Sequence, residues 1–314
     1  MTFGSSMGNN RTLAIVTVLY NSAGVLDDFF ASLERQTFRD FILYAVDNAS
    51  PDRSAEAVRA WSNRVSFPVV LIENGRNGGV AQGNNIGVRA ALAAGYEWVL
   101  LANNDTVWEP DALEKLLYGA WECGATLAVP KIRIHGTERL WSAGGAWNRW
   151  LGGTRHRGFN RKEKKRYDRV REVAYAPSCV MLIGASVFES TGYFDEQFFL
   201  YYDDSDFVRR ATGYGERVLY LPQARITHKE SASVGNASPL AQYFLSRNLL
   251  LFIWKHHATG YWYYVAGIQL ALLLGKRSFT FSREQWWASW NGWRDGLRLC
   301  RNRGESIPDW VWQE

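Results

Sequence analysis

Strand and helix signals alternate along the first hundred residues, and no other feature of the sequence constrains the fold as strongly. Residues 13–19 (LAIVTVL) form a continuous apolar, β-branched run, which is typical of a strand buried in a parallel sheet. Strands that alternate with helices predict an α/β fold with a mostly parallel sheet and helices on both faces. The pattern predicts further strands over 41–46, 69–73 and 98–101, and helices over 24–35, 53–62 and 80–94.

The pattern changes after residue 172 and again after Pro239. From Pro239 onward the residues have a helical pattern. Shorter strands are predicted near 173–176 and over 218–221 and 225–227, with one helix over 204–212 that ends at Gly213. We therefore predict a disordered leader over 1–11, an α/β domain over 12–235 and a helical region over 236–314.

Composition excludes several classes of protein. With 314 residues, 47% hydrophobic and 21% charged, the chain is neither disordered nor collagen-like. Its three cysteines include no CxxC pair, so they build neither a disulfide framework nor a zinc ribbon, and they favour a reducing compartment. The first ten residues (MTFGSSMGNN) lack the apolar core of a secretory signal, so a cytoplasmic location is expected.

Positive charge is concentrated in two segments. The net charge is +5, but residues 155–171 contain nine Lys and Arg against two acidic residues, and residues 236–314 contain nine against five. The remainder is mildly acidic, unlike a protein that coats nucleic acid, so no nucleic-acid partner is expected. Segment 155–171 is either a solvated loop or a surface for an anion, such as a lipid pyrophosphate or a phospholipid membrane.

Aromatic residues cluster near the C-terminus, where eight of the fifteen tryptophans lie beyond residue 250. The longest apolar stretch, 261–275, is shorter than the roughly 20 residues that a membrane-spanning helix needs. It is predicted to be either a buried helix or a helix lying in a membrane surface. Trp286, Trp287, Trp290 and Trp293 recur near one helical face beside arginines, which suits a bilayer interface. Burial against the protein or against a second subunit is the alternative.

Polar residues stand at the end of each predicted strand. In parallel sheets ligands bind beyond the carboxyl ends of the strands, so these residues are predicted to converge on one edge. The loop over 77–85 (NGGVAQGNN) matches neither the phosphate loop GxxxxGK[ST] nor the dinucleotide motif GxGxxG, which argues against a P-loop or nicotinamide enzyme. Taken alone, the loop is either a tight turn or a ligand site. The strand-end groups are Tyr20-Asn21, Asp47-Asn48, residues 74–77 and Asn103-Asn104-Asp105.

Three carboxylates and one histidine are candidates for chemistry. Asp105 follows the apolar run WVLLA and is either a turn residue or a ligand of a metal that also binds substrate phosphate. Asp203 and Asp204 are adjacent at a predicted helix start, and neighbouring carboxylates split their pKa values, which suits one of them as a general base. His228 ends a predicted strand and is either structural or a metal ligand.

The remaining titratable residues are given structural roles. Asp206 is predicted to pair with Arg210 at i,i+4 on the same helix. The other histidines have no neighbouring candidate groups in the sequence, so they are predicted to lie at the surface or at an interface. They are His135, His156, His256 and His257.

Six motifs, taken in order and spacing, resemble those of the inverting family-2 glycosyltransferases, most closely the bacterial rhamnosyltransferase and galactofuranosyltransferase branch. The resemblance covers about residues 12–256, and it implies a GT-A fold, a nucleotide-diphosphate-sugar donor and a Mg or Mn ion on the diphosphate. The motifs are VTVLYNS, VDNASPD, NGRNGGVAQGNNIG, LLANNDT, GYFDEQFFLYYDDSDFVRR and ITHKESASVG.

The resemblance also assigns roles to residues. It implies that Asp204 is the catalytic base with Asp203 beside it, and that Asp105 and His228 bind the metal. Asp105 matches the last member of the family's DxD motif, whereas Asn103 stands in place of the first aspartate, which weakens the expected metal affinity. The implied substrate-binding residues are Tyr20, Asn21, Asp47, Asn77, Gly79, Asn84, Asn103 and Asn104, with Tyr20 and Asp47 on the nucleotide.

The expected reaction moves L-rhamnose from a nucleotide-diphosphate sugar to a hydroxyl of a glycan or lipid-linked glycan, in cell-surface polysaccharide synthesis. dTDP-rhamnose is favoured over a UDP-sugar, and a location on the inner face of the cytoplasmic membrane is expected. One alternative is a sugar-1-phosphate nucleotidyltransferase, although residues 19–22 lack its Gly-rich, Lys-containing signature. The other is a non-catalytic, membrane-bound glycan-binding protein, for which Asn103 is the support.

Overall fold

The computed structural model describes residues 11–229 and 238–301. Its strands are β1 (Arg11–Leu19), β2 (Phe41–Asp47), β3 (Val69–Glu73), β4 (Tyr96–Ala102), β5 (Thr106–Trp108), β6 (Leu127–Ile134), β7 (Leu140–Ser142), β8 (Gly145–Trp147), β9 (Thr154–His156), β10 (Arg171–Glu172), β11 (Val180–Gly184) and β12 (Val218–His228). Its helices are α1 (Leu26–Glu34), α2 (Ser54–Ser62), α3 (Gly79–Ala93), α4 (Ala112–Glu122), α5 (Ala185–Thr191), α6 (Asp203–Gly213), α7 (Pro239–His256), α8 (Thr259–Leu274), α9 (Lys276–Thr280) and α10 (Arg283–Arg301). Short 3₁₀ turns span Lys165–Tyr167 and Glu196–Phe198.

A single mixed sheet organises the fold, with the main strand order β10-β12-β6-β11-β4-β1-β2-β3. Strands β4, β1, β2 and β3 are parallel to one another, and β6 is parallel to β12. Alternate residues of β1 enter two different cores, because successive side chains point to opposite faces. Leu13 and Ile15 pack with α1, α2 and α4, whereas Ala14 and Val16 pack with α3, α5 and α6. The predicted α/β architecture with helices on both faces is confirmed.

The middle of the chain differs from the sequence-based prediction. No strand covers 173–176 among the described residues, where Val173 and Ala176 are buried in the core and Tyr175 makes one isolated bridge to Gly145. Strand β11 lies a few residues later, antiparallel between β4 and β6, and α5 follows it as a second helix of this region. The two predicted strands over 218–221 and 225–227 are one strand, β12, interrupted by an irregularity after Leu221.

In the part of the chain that the structure describes, four helices begin at Pro239 or later. The side chain of Ser238 accepts a hydrogen bond from the Ala241 amide (3.1 Å) and caps α7, whose first residue is Pro239. Helix α10 packs closely along α7, because a Cβ on Gly292 would lie 2.1 Å from the Tyr243 carbonyl oxygen. Helix α7 therefore lies between the sheet domain and α10. Within the described ranges, none of the helices is both long and apolar enough to span a bilayer.

Two predicted boundaries fall at the edge of the described residues. The predicted leader over 1–11 lies outside the described residues except for Arg11. The prediction is wrong at Arg11, because this residue begins β1. The predicted boundary near 235 falls within 230–237, which the structure does not describe.

Candidate active site

A cleft of about 130 Å³ opens at the carboxyl ends of β1, β2 and β4. The predicted strand ends meet here, and most of the predicted substrate-binding residues line the cleft. Phe199 and Leu200, just ahead of α6, and Leu240 of α7 close its remaining wall. The predicted residues in the lining are Tyr20, Asn21, Asn77, Gly79, Asn84, Asn103, Asn104 and Asp105.

Asp47 does not line this cleft. It is buried at the end of β2, where its carboxylate accepts long hydrogen bonds from the Ser50 amide at 3.3 and 3.4 Å. The neighbouring Asn48 does line the cleft and donates through Nδ2 to the Gly79 carbonyl oxygen at 2.9 Å. Asp47 thus lies behind the cleft wall rather than at its surface.

The loop before α3 is held tightly at Gly79. Its amide donates to Asn77 Oδ1 (3.0 Å), and the Val80 amide donates to the Phe199 carbonyl oxygen (2.7 Å). Gly79 has φ +78°, and a Cβ at this position would lie 2.4 Å from that same carbonyl oxygen. Only glycine permits both the left-handed backbone and this close approach. The loop is therefore a wall of the cleft and also a tight turn.

We expect Gly79→Ala to lower the free energy of unfolding by about 2–5 kcal/mol, because a left-handed L-residue costs roughly 1–2 kcal/mol and overpacking roughly 1–3 kcal/mol. Denaturant titration measures the loss. Gly24→Ala is the matched control, since a Cβ there meets nothing within 4 Å. Equal stability of the two variants would contradict the tight packing of Gly79 against Phe199.

Asp105 and His228 come together beside the cleft. Strand β5 pairs with β12 and places Thr106 opposite His228, so the carboxylate that precedes Thr106 faces the imidazole. Asp105 Oδ1 and His228 Nε2 are 3.0 Å apart, and both side chains are buried. Neither of these atoms has a hydrogen bond of acceptable geometry among the described residues. The two atoms are therefore close together and buried, but they do not satisfy each other by a hydrogen bond.

This pair fits a divalent cation. A carboxylate oxygen and an imidazole nitrogen are metal ligands, and burying them without hydrogen bonds is costly unless a ligand satisfies them. No group of three or more His, Cys, Asp or Glu suited to a metal occurs among residues 11–229 and 238–301. A cation that also binds substrate phosphates needs only one or two protein carboxylates, so the pair is sufficient in that setting.

Asp204 lies at the start of α6, outside the lining of the cleft. Its Oδ2 accepts hydrogen bonds from the Tyr175 hydroxyl (2.7 Å) and the Ser178 amide (3.2 Å), and its Oδ1 accepts from the Ser205 amide (2.6 Å). Burial raises the pKa of Asp204, and these hydrogen bonds partly offset the rise. Asp204 is thus a fixed carboxylate that holds its proton more strongly than an exposed one.

Asp203 is buried more deeply than its neighbour. Burial and then the charge of Asp204 raise the pKa of Asp203 well above its usual value. Its Oδ2 has no hydrogen-bond partner within the described part of the chain. We conclude that Asp203 keeps its proton while Asp204 ionises first, because Asp204 accepts more hydrogen bonds.

The segment before Asp203 is strained and clamped. Phe199, Tyr201 and Tyr202 have φ values of 57°, 65° and 67°, which L-residues rarely adopt. Asn248 of α7 donates through Nδ2 to the carbonyl oxygens of Phe198 (2.7 Å), Leu200 (2.8 Å) and Tyr201 (3.0 Å). Helix α7 thereby fixes the approach to Asp203 and Asp204, a role that sequence reasoning missed.

Cys179 and a chain of rings connect the two parts of the site. The Cys179 carbonyl oxygen accepts a hydrogen bond from the Asn103 amide (2.8 Å), and the amide of the preceding residue, Ser178, donates to Asp204 (3.2 Å). Burial raises the pKa of Cys179 well above its usual value, and the charges of Asp105 and Asp204 raise it further. The Trp141 ring lies 4.8 Å from His228 and 4.2 Å from His156, which in turn lies 5.6 Å from Tyr175. Through Tyr175 this chain of rings reaches Asp204.

Two of the histidines predicted to lie at the surface or at an interface contact residues near the site. His156 packs between Trp141 and Tyr175, and burial with the nearby charge of His228 lowers the pKa of His156 to about 4. His256 Nε2 lies 2.8 Å from Asp206 Oδ1. Each ring is held by residues distant in sequence, so no local pattern marks it.

Asp206 has the structural role predicted for it. Its Oδ2 accepts a hydrogen bond from Arg210 Nε at 2.8 Å, and Lys255 Nζ lies 2.6 Å from its Oδ1. Burial alone would raise the pKa of Asp206, but the hydrogen bond with His256 and the charges of Lys255 and Arg210 outweigh burial and lower it. Asp206 therefore joins α6 to α7 as a permanent anion.

Comparison with known proteins gives one family and a consistent fold. The model of the family described as glycosyl transferase family 2 matches residues 14–187. The N-acetylglucosaminyl-diphospho-decaprenol L-rhamnosyltransferase of Mycobacterium tuberculosis is 28% identical over 80% of this chain and 86% of that protein. The dTDP-rhamnosyl transferase RfbF of Shigella flexneri is 25% identical over 68% of this chain and 69% of that protein.

A solved structure of similar fold is the mannosyltransferase PcManGT from Pyrobaculum calidifontis in complex with GDP-Man and Mn²⁺. It superposes with a TM-score of 0.55 at 16% identity, over 95% of this chain and 77% of that one. At this identity the likeness concerns the fold alone.

Proposed function

Because the chain belongs to glycosyl transferase family 2 and has the GT-A fold, we propose that this glycosyltransferase moves L-rhamnose from dTDP-rhamnose to a lipid-linked glycan. Enzymes of this family generally invert the anomeric configuration. The names of the two relatives support the sugar, and the name of the mycobacterial one supports an acceptor sugar on a polyisoprenyl diphosphate. Family membership argues against both a nucleotidyltransferase and a non-catalytic glycan-binding protein.

The observation that carries the proposal is that two unlike groups are joined by one short segment of chain. Asp105 lines the cleft and lies 3.0 Å from His228, and the neighbouring Asn103 amide donates to the Cys179 carbonyl oxygen. The amide of Ser178, the residue before Cys179, donates to Asp204. Transfer at an anomeric carbon needs a base for the acceptor and positive charge on the leaving diphosphate. Asp204 would supply the base, and a cation held by Asp105 and His228 would supply the positive charge.

We propose that the cleft binds the nucleotide and its diphosphate. Tyr20 and Asn21 would bind the nucleotide at the end of β1, and Asn77, Gly79 and Asn84 would border the donor, with Asp47 supporting this wall from behind.

Asp105 and His228 would hold a Mg or Mn ion against the diphosphate, with Asn103 and Asn104 beside them. When bound, such a cation supplies positive charge that stabilises the departing diphosphate. Asn103 contributes no charge where the family pattern has a carboxylate, so most of the affinity is expected to come from the donor phosphates.

In the transfer step, Asp204 would take the proton of the acceptor hydroxyl while that oxygen bonds to the anomeric carbon. The bond from this carbon to the diphosphate oxygen breaks, and the nucleoside diphosphate leaves. Tyr175 and Ser178 hold Oδ2 of Asp204 in a fixed position, which lowers the entropic cost of the step.

Thermal shift with a panel of nucleotide sugars and Mn²⁺, followed by transfer assays, tests this function. A donor that binds the native state raises the melting temperature in a concentration-dependent way. We expect dTDP-rhamnose to give the largest increase and to support transfer. A larger increase in melting temperature with a UDP-sugar would make that sugar the donor instead of dTDP-rhamnose. No response to any nucleotide sugar would refute the proposed function.

We propose further that the helical region contacts the inner face of the cytoplasmic membrane. Helix α8 contains no charged residue, and its exposed side includes Tyr263 (62% exposed) and Leu274 (58% exposed), followed by Phe279 in α9 (90% exposed). An uncharged, exposed aromatic surface of this kind is typical of an interfacial helix. Two of the tryptophans near the C-terminus contact the protein instead: Trp286 and Trp293 donate through Nε1 to carbonyl oxygens of α8.

A Tyr263→Glu, Leu274→Glu double variant is expected to lose most of its binding to vesicles that contain phosphatidylglycerol, because each buried side chain contributes about 1.5–3 kcal/mol. Vesicle flotation measures the bound fraction. Trp121→Glu is the matched control, since Trp121 is 58% exposed on α4. If wild type and double variant float alike, the surface of α8 is not the membrane contact.

A further inference from the structure

A second cleft, of about 680 Å³, opens between the β8–β9 hairpin, α6 and the start of α8. The hairpin loop is anchored to α8, because the Tyr261 hydroxyl donates to the Arg149 carbonyl oxygen at 2.6 Å. The residues that decide its chemistry are Trp147, Arg149, Trp150, Arg209, His257 and Tyr261.

This second cleft is positively charged. The guanidinium groups of Arg149 and Arg209 are exposed, and no acidic side chain of the described residues lines the cleft. Burial and then the charges of Arg209 and His256 lower the pKa of His257, in keeping with an excess of positive charge here. Two arginines in a cleft whose described lining holds no acidic side chain suit a phosphate or diphosphate group.

Two side chains link the wall of the second cleft to Asp204. The Trp147 ring, part of the cleft wall, lies 6.2 Å from the Tyr175 ring, and the Tyr175 hydroxyl donates to Asp204. On the same side, a Cβ at Gly153 would lie 3.1 Å from the hydroxyl of Tyr202, which directly precedes α6. The second cleft therefore lies on the side of the protein that carries Asp204 and its hydrogen-bond partner Tyr175.

The rim of the cleft is apolar and continues onto α8. Trp150 is 72% exposed, and Leu151 beside it is also exposed. Across the cleft, the Tyr261 ring stacks on Tyr264 at 5.9 Å, and Tyr264 begins the uncharged exposed side of α8. The two arginines, which suit a phosphate, therefore line the cleft, and apolar side chains suited to a hydrocarbon chain lie at its edge.

We propose that this second cleft binds the acceptor and that Arg149 and Arg209 bind the diphosphate of a polyisoprenyl-diphosphate-linked sugar. The inference rests on the proposed function and assigns its acceptor site. Trp147 offers a ring face to the sugar whose hydroxyl meets Asp204, and Trp150 and Leu151 contact the lipid chain. A phospholipid headgroup shares the phosphate chemistry, but it has no hydroxyl-bearing sugar to place beside a general base.

The test uses two synthetic acceptors, N-acetylglucosamine on farnesyl diphosphate and the octyl glycoside of the same sugar. For an Arg149→Gln, Arg209→Gln double variant, KM for the diphosphate acceptor is expected to rise about 10-fold or more, since charge-assisted hydrogen bonds are lost. Transfer to the octyl glycoside and the donor-induced thermal shift should stay unchanged. Arg64→Gln, an exposed arginine after α2, is the matched control and should resemble wild type.

Equilibrium binding of the diphosphate acceptor to the two proteins separates this inference from the proposed function. Weaker binding to the double variant supports the acceptor site even if wild type transfers to neither compound, an outcome that would count against the proposed function instead. Equal KM and equal binding in wild type and variant would overturn the inference. Loss of vesicle flotation without loss of acceptor binding would also overturn it, in favour of a phospholipid headgroup site.

Discussion

Asp204→Asn is expected to lower the rate of sugar transfer by about 10²–10⁴-fold, the usual contribution of a general base. The amide has nearly the same shape but cannot take the acceptor proton. Donor binding should persist, because Asp204 does not line the nucleotide cleft. Single-turnover transfer measures the rate, and thermal shift with the nucleotide sugar verifies binding. Wild-type transfer by this variant would exclude Asp204 as the base.

Asp203→Asn is the matched control for that variant. Burial and the charge of Asp204 keep Asp203 protonated, so an amide there preserves the charge and nearly the shape of the native side chain. We expect transfer within a few-fold of wild type. If Asp203→Asn instead loses activity as severely as Asp204→Asn, the two carboxylates share the proton and act as a unit.

The pH dependence of transfer tests the same assignment. A general base works in its ionised form, and burial raises the pKa of Asp204, so transfer should fall with acidification at a higher pH than an ordinary aspartate would produce. The Asp203→Asn variant should leave this acid limb nearly unchanged, because the amide preserves the uncharged state of Asp203. A shifted acid limb in this variant would show that the two carboxylates titrate as a unit.

The central strands could be predicted because each is a continuous apolar run, which can be recognised from a few consecutive residues. Strand β6 was missed because Pro130 and Lys131 interrupt its apolar pattern. Lys131 is fully buried there, with its Nζ 2.6 Å from Glu163 and also paired with Asp168. Those two acids belong to the basic segment 155–171, so the compensation for the buried lysine lies about 30 residues away.

The basic segment is tied to the fold through its acidic residues, and its binding of an anionic partner stays a prediction. Its two acidic residues are used to hold Lys131, which leaves a cleft of about 600 Å³ lined by cations. Local charge counting could reveal the excess of arginine and lysine, but not which acids point inward. The cations that line this cleft are Arg157, Lys165, Arg166, Arg169 and Arg171.

Site residues that stand at strand ends could be predicted from the sequence. Site residues that belong to other parts of the fold could not. Asp105 and His228 stand at strand ends, and strand pairing brings them within 3.0 Å. Tyr175 and Asn248 come from a segment without strand structure and from α7, and their contacts join positions 29 and 47–50 residues apart. Hydrogen bonds over such separations leave no periodic signal in the sequence.

Removal of divalent metal is expected to lower transfer by about 10²-fold or more, because a bound cation contributes several kcal/mol to stabilising the departing diphosphate. Treatment with EDTA followed by dialysis and return of Mn²⁺ or Mg²⁺ measures this loss and its recovery. Unchanged transfer in EDTA would remove the metal from the proposed mechanism and leave Asp105 and His228 as a structural pair.

Variants at the pair locate the metal. Asp105→Asn and His228→Ala should each weaken Mn²⁺ binding measured calorimetrically with dTDP present, because each removes one of two buried ligand atoms. His135→Ala is the control, since this histidine lies beside His228, with its amide donating to the His228 carbonyl oxygen, but its side chain is exposed. Asn103→Asp should strengthen Mn²⁺ binding by restoring a carboxylate at the edge of the cleft. If Asn103→Asp leaves Mn²⁺ affinity unchanged while His135→Ala lowers it, the metal lies elsewhere.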